Sequence, residues 1–151
     1  MTPKKQGNQP ISLHKSKGVV SGIILAGGLS TRLGRDKSVE PIANQTLLSR
    51  IHQKLSQITN DITVVVNTKE KAEKIPIPNV EIVLDLYPAC GSLGGMFTGL
   101  TYAKQQWSFV VACDMPFINI QLIEKMMELR ANHDAVVPYL NDFPEPTHAL
   151  Y

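Results

Sequence analysis

The chain predicts a three-layer, Rossmann-like α/β fold: a mostly parallel sheet with helices on both faces. Three observations predict it. Four short runs, closing at Ala26, Asn67, Asp85 and Asp114, are apolar almost throughout, as strands buried on both faces must be. Segments with apolar residues at helical spacing separate most of these runs, so successive strands are joined by crossovers and run parallel. Beyond its apolar part each run gives way to glycine or to a polar residue. In open sheets of this kind ligands sit past the carboxyl ends of the strands.

The first strand spans Val19 to Ala26, and Gly27 and Gly28 follow it at once. Glycine carries no Cβ, so backbone amides there can approach an anion closely. Ser30 and Thr31 add hydroxyl groups, and Arg32, Arg35 and Lys37 add cations. A bare, donor-rich, cationic loop after a buried strand reads as a phosphate cradle. It is neither of two familiar ones. The dinucleotide fingerprint needs Gly-x-Gly-x-x-Gly, whereas Gly27 and Gly28 are adjacent and Leu29 follows. The Walker A loop needs Gly-Lys-[Ser/Thr], whereas Arg35 follows Gly34 and Lys37 comes two residues late. The competing reading is an ordinary strand-to-helix turn with solvated basic residues.

After an irregular stretch containing Pro41 and Asn44-Gln45, a helix is expected from about Thr46 to Ser56, with Leu47, Leu48, Ile51, Leu55 and Ile58 at helical spacing. His52 lies among polar neighbours and is expected to face solvent. Ile62 to Asn67, Val80 to Asp85 and Trp107 to Asp114 supply the second, third and fourth strands. Asn67, Asp85 and Asp114 should therefore gather on the same edge as the glycine loop. Each of them could instead cap a turn, as Asn and Asp often do. Between the third and fourth strands a small-residue turn, Gly91-Ser92-Leu93-Gly94-Gly95, leads into a helix carrying Leu93, Met96, Phe97, Leu100 and Ala103. Another amphipathic helix is expected from Asn119 to Arg130 with Leu122, Ile123, Met126 and Leu129 inward. Asp134 to Tyr139 reads as a fifth strand, and Glu145 to Tyr151 opens a sixth.

The 151 residues and 43% hydrophobic content suit one domain with a real core. No apolar run approaches the roughly 18 residues of a membrane span. Cys90 and Cys113 have neither metal-site spacing nor the numbers for a disulfide framework, so reduced thiols in a cytoplasmic protein are expected. The net charge of +2 is unevenly spread: no acidic residue precedes Asp36. Residues 1–17 read as a disordered basic tail, without signal or transit-peptide character, ahead of a single domain at 18–151. Four lysines without aromatic residues make a poor nucleic-acid footprint, and no nucleic-acid partner is expected.

The stretch from Leu25 to Lys37, Leu-Ala-Gly-Gly-Leu-Ser-Thr-Arg-Leu-Gly-Arg-Asp-Lys, resembles the signature loop of the nucleotidyltransferases typified by molybdenum cofactor guanylyltransferase. The turn Cys113-Asp114-Met115-Pro116 resembles that family's Cys-Asp-x-Pro metal-binding turn. The resemblance implies a nucleotidyltransferase fold and transfer of GMP from GTP to molybdopterin with release of pyrophosphate. It also implies Leu25, Ala26, Gly27 and Gly28 as backbone contacts to GTP, Lys37 and Arg32 as phosphate cations, and Asp114 as the Mg²⁺ ligand. Asn67 and Asp85 would serve the nucleoside side. Implied partners are GTP, molybdopterin and molybdoenzyme maturation proteins, with no membrane. The family's usual Gly-Pro-Leu-Ala-Gly is replaced here by Gly91 to Gly95. Pro-Thr-His-Ala-Leu at 146–150 resembles the family's acceptor-side strand, beyond which members continue, so the domain is expected to lack its C-terminal part. The alternatives are a cytidylyltransferase or sugar-phosphate nucleotidyltransferase on the same fold, and a non-catalytic nucleotide-binding module.

Overall fold

The structure is a computed structural model and describes residues 19–28, 41–42 and 45–151. Its centre is a five-stranded sheet of β1 (Ser21–Leu25), β4 (Ile62–Val66), β5 (Glu81–Leu84), β6 (Ser108–Ala112) and β9 (His148–Leu150), in the order β5-β4-β1-β6-β9. The first four are parallel, and β9 runs antiparallel to β6. Register aligns Leu25 with both Val65 and Ala112, so three strands end level beside one another. Every residue of β1 and β4 is buried, which explains why both read as unbroken apolar runs. Two small antiparallel hairpins complete the strands: β2 (Pro41–Ile42) with β3 (Gln45–Thr46), and β7 (Tyr139–Leu140) with β8 (Phe143–Pro144).

Side chains alternate along each strand, so the sheet has two faces and two cores. Against one lie α1 (Leu47–Leu55), the short α2 (Lys69–Glu73) and α4 (Ile120–Leu129), where Leu48, Ile51, Leu55, Ile123, Met126 and Met127 meet Ile24, Val64, Phe109 and Val111. Thr46 caps α1 by accepting the Ser49 N–H at 3.1 Å, and Asn119 caps α4 by accepting the N–H of Gln121 at 2.9 Å. Against the other face lies α3 (Gly91–Tyr102), entered through a 3₁₀ turn at Pro88–Cys90, over Ile23, Leu25, Val65, Val83 and Val110. The expected three-layer arrangement is thus present.

The packing of α3 departs from its apolar pattern, and two expectations need correction. Of the apolar residues placed on α3, Met96 and Ala103 pack on the sheet, but Leu93, Phe97 and Leu100 are exposed by 69%, 53% and 38%. The buried face consists of Gly94, Gly95, Thr98 and Gly99, which lets the helix backbone close on the strands. On α4, Leu129 is exposed and Met127 is buried in its place. At 100° per residue Met126 and Met127 flank the direction of Ile123, whereas Leu129 lies about 120° away. The strand expected over Asp134 to Tyr139 shrinks to one bridge, Val136 with Leu150, because Pro138 has no N–H to continue the ladder. Tyr139 and Leu140 turn away into their own hairpin, whose corner residues Asn141 and Asp142 take φ of 50° and 66°.

The amino-terminal edge of the sheet is tied by polar groups. Asp61 accepts from the Ser21 hydroxyl and, at 3.0 Å, from the Lys104 N–H. The Gln105 N–H donates to Ser21 Oγ at 3.0 Å, and Lys104 Nζ lies 3.1 Å from Glu81. That edge is committed to structure, which leaves the carboxyl edge for ligands.

Candidate functional site

Across the carboxyl edge the strand tips present, in lateral order, Asp85 after β5, Asn67 after β4, Leu25 to Gly28 after β1, and Asp114 just past β6. Three interstrand steps of about 5 Å each span this row. Leu25 and Ala26 are still part of the sheet: the Leu25 carbonyl accepts the Cys113 N–H at 3.0 Å, and the Ala26 N–H donates to Val65 at 2.8 Å. Both side chains are buried, so only their backbone can serve a ligand.

Gly27 is where the chain leaves the sheet. A Cβ there would sit 3.5 Å from the Asn67 backbone nitrogen and 3.6 Å from its Cβ, so the loop lies flush against that strand tip. A Cβ on Gly28 would meet nothing among the described residues within 4 Å, and the residue is exposed. Asn67 carries the clearest sign of an unmet demand. Its side-chain oxygen is buried without a hydrogen-bond partner among the described residues, a state that costs roughly 1–3 kcal/mol unless something fills it.

Asp85 has a double commitment. Its Oδ1 accepts the Tyr87 N–H at 2.9 Å and the hydroxyl of Thr98, fully buried in α3, at 3.0 Å. Thr98 Oγ1 in turn accepts the Leu86 N–H at 2.9 Å. The cap-like reading of this aspartate is therefore realised by one oxygen. Oδ2 lies 3.8 Å from where a Cβ on Gly95 would stand and is spared those two bonds.

Asp114 lies within the tight turn in which the Met115 N–H bonds to the Ala112 carbonyl at 3.0 Å. It is exposed, and among the described residues its carboxylate makes no hydrogen bond or ion pair. No group of three metal-ligating side chains occurs among the described residues. A lone, open carboxylate does not make a preformed cage. It does suit Mg²⁺, which is normally held by one or two carboxylates together with substrate phosphates. His148, paired with Val111 near this end of β6, stacks edge-on to Phe109 at 5.0 Å, and burial lowers its pKa from the usual histidine value. His52 is half-buried rather than facing solvent, with a ring nitrogen 3.2 Å from Ser56 Oγ, and burial lowers its pKa too.

Of the residues the sequence points to, Leu25, Ala26, Gly27, Gly28, Asn67, Asp85 and Asp114 share the edge, while Arg32 and Lys37 lie outside the described residues. Two contributors escaped sequence reading. Thr98 fixes Asp85, and Lys71 Nζ donates to the Gly28 carbonyl at 3.0 Å. The hint for Thr98 is a polar residue among small ones on a helix; Lys71 looks like any surface lysine.

Comparison with known proteins agrees with this geometry. Residues 22–151 match the family described as the MobA-like NTP transferase domain. Proteins described as probable molybdenum cofactor guanylyltransferases from Natronomonas pharaonis and Natranaerobius thermophilus are each 34% identical to it. Both alignments cover 87% of this chain, and they cover 67% and 66% of those proteins. The molybdenum cofactor guanylyltransferase of Desulfosudis oleivorans is 33% identical, over 87% of this chain and 65% of its own. The chain thus spans about two thirds of the length of these relatives. Among solved structures, molybdopterin-guanine dinucleotide biosynthesis protein A from Archaeoglobus fulgidus has a TM-score of 0.72 at 27% identity, covering 87% of this chain and 67% of that one. The 2-C-methyl-D-erythritol 4-phosphate cytidylyltransferase of Thermus thermophilus shares the fold, with a TM-score of 0.65 at 19% identity over 80% of this chain and 54% of its own. With a matched span that runs from the first strand to the last residue, the chain belongs to the MobA-like NTP transferase domain family.

Proposed function

We propose that this protein transfers GMP from GTP to molybdopterin, forming the guanine dinucleotide cofactor and releasing pyrophosphate. The observation that carries the reading is the row of strand tips, in which a side-chain-free bend stands between Asn67 with its unpartnered oxygen and the uncommitted carboxylate of Asp114. The names of the relatives supply the choice of guanine and of the acceptor.

In such a transfer an acceptor phosphate oxygen attacks the α-phosphorus while pyrophosphate departs on the opposite side. No protein nucleophile is required. The protein must align the reactants and offset the negative charge that grows on the phosphate oxygens. Gly27 and Gly28 are suited to the first task, because amides without side chains can lie close to phosphate oxygens. Lys37 and Arg32 are assigned to the second as cations on the triphosphate. Asn67 and the free oxygen of Asp85 are assigned to the nucleoside. Asp114 would hold Mg²⁺, which when bound offsets phosphate charge and helps to orient the triphosphate. We also propose that residues 18–151 form one nucleotidyltransferase domain behind a basic tail at 1–17, and that the protein works in the cytoplasm. No described helix is long and apolar enough to cross a membrane.

The test is pyrophosphate release from GTP in the presence of molybdopterin and Mg²⁺. Asp114→Asn should lower turnover by about 10²–10³-fold, the usual effect of removing one group that stabilises developing charge. Unchanged turnover would take Asp114 out of the mechanism. Tighter calorimetric binding of CTP than GTP would reassign the base, and GTP binding with no pyrophosphate release would favour a non-catalytic binding module.

A further inference from the structure

We propose that Lys71 is a positioning residue for the nucleotide loop, holding Gly28 in the conformation that receives phosphate; the nucleotide part of this rests on the reading above. The chain beyond Ala26 leaves the sheet ladder, and Gly28 has neither a side chain nor, among the described residues, a neighbour within 4 Å of its would-be Cβ. Glycine in open space samples more backbone conformations than any other residue, and ordering it on binding is correspondingly costly. The bond from Lys71 Nζ to the Gly28 carbonyl at 3.0 Å restrains that freedom before any ligand arrives.

The lysine is itself well placed to do so. β4 ends at Val66, Asn67 backs Gly27, and Thr68 then caps α2 by accepting the Lys71 N–H at 3.3 Å. The helix is anchored below by Ala72, which packs against the same buried cluster as Ile75 just beyond it. One turn of chain therefore braces two successive glycines: Gly27 by the backbone of Asn67, Gly28 by the side chain of Lys71. An ammonium donor makes this a charge-assisted bond, stronger than one between neutral groups. The same positive charge stands on the edge to which a triphosphate is assigned, so it does not oppose the ligand.

The experiment compares the wild type with Lys71→Met and Lys71→Arg by two readouts. In the ligand-free protein, amide exchange and NMR order at Gly27 and Gly28 should show a looser Gly28 in Lys71→Met, with the melting temperature kept and order recovered in Lys71→Arg. For GTP, Lys71→Met should raise the dissociation constant and KM about tenfold, the low end for losing one hydrogen bond to a charged group, with kcat nearly unchanged. Lys71→Arg should recover most of that loss. Unaltered order at Gly28 in Lys71→Met overturns the inference, as does a fall in kcat at constant KM. If the wild type fails to bind GTP, the nucleotide reading falls while the exchange measurement still decides whether Lys71 restrains the loop.

Discussion

The two faces of the sheet solve the same problem by opposite means. Under α1 and α4 the gap between helix and sheet is filled by large side chains, with Leu48, Ile51, Leu55, Ile123 and Met127 at most 1% exposed. Under α3 the gap is closed by removing side chains, and Gly94, Gly95 and Gly99 bring backbone nearly onto the strands while Leu93 and Phe97 point outward. The first arrangement maximises apolar burial. The second gives up some of that burial for closeness, and the closeness puts Thr98 within hydrogen-bond reach of Asp85 on the carboxyl edge. One face is the main source of stability; the other shapes the site.

This contrast can be broken at three points. Ile51→Ala should produce the largest loss of stability, about 3–4 kcal/mol by denaturant titration, because a fully buried side chain would leave a cavity in the α1 layer. A loss below about 1 kcal/mol would show that this core is loosely filled. Gly94→Ala should cost about 2–3 kcal/mol, because the added methyl group would land on the Tyr87 carbonyl oxygen. It should also weaken GTP binding, since Tyr87 and Gly94 both border Asp85; a tolerated alanine would mean that α3 can slide away from the strands. Leu93→Ser should be the mildest, within about 0.5 kcal/mol in a melt, since its side chain is 69% exposed. A clear destabilisation there would show that the outward side of α3 is buried after all.

The same contrast explains what was legible in the sequence. Strands β1, β4 and β6 announced themselves because burial on both faces forces an unbroken apolar run, and β5, a partly buried edge strand, because Ile82-Val83-Leu84 closes on Asp85. The edge site was legible because three of those runs end in Asn67, Asp85 and Asp114, and the fourth in Gly27-Gly28. Helix α3 was recognised, but its packing face was not legible: glycine has no hydropathy signal, whereas the outward Leu93 and Phe97 do. Helix α2 was missed because five residues, Lys-Glu-Lys-Ala-Glu, show too little periodicity to register. The fifth strand was overread from Val136 and Val137, whose apolar character is real but whose ladder ends at Pro138. Lys71 had no signal at all, since its role comes from a turn that folds it back over a loop 43 residues earlier.

With Asp85 assigned to the nucleoside as proposed, Thr98 has a practical consequence for anyone altering which base is accepted. It is wholly enclosed, so libraries confined to exposed positions on the carboxyl edge would pass it by, yet its hydroxyl donates to one oxygen of Asp85 and so helps to orient the other. Swapping it for valine would keep its bulk while leaving that oxygen with the Tyr87 N–H alone. Under the role proposed for Asp85, nucleotide choice would depend in part on a residue that no ligand touches.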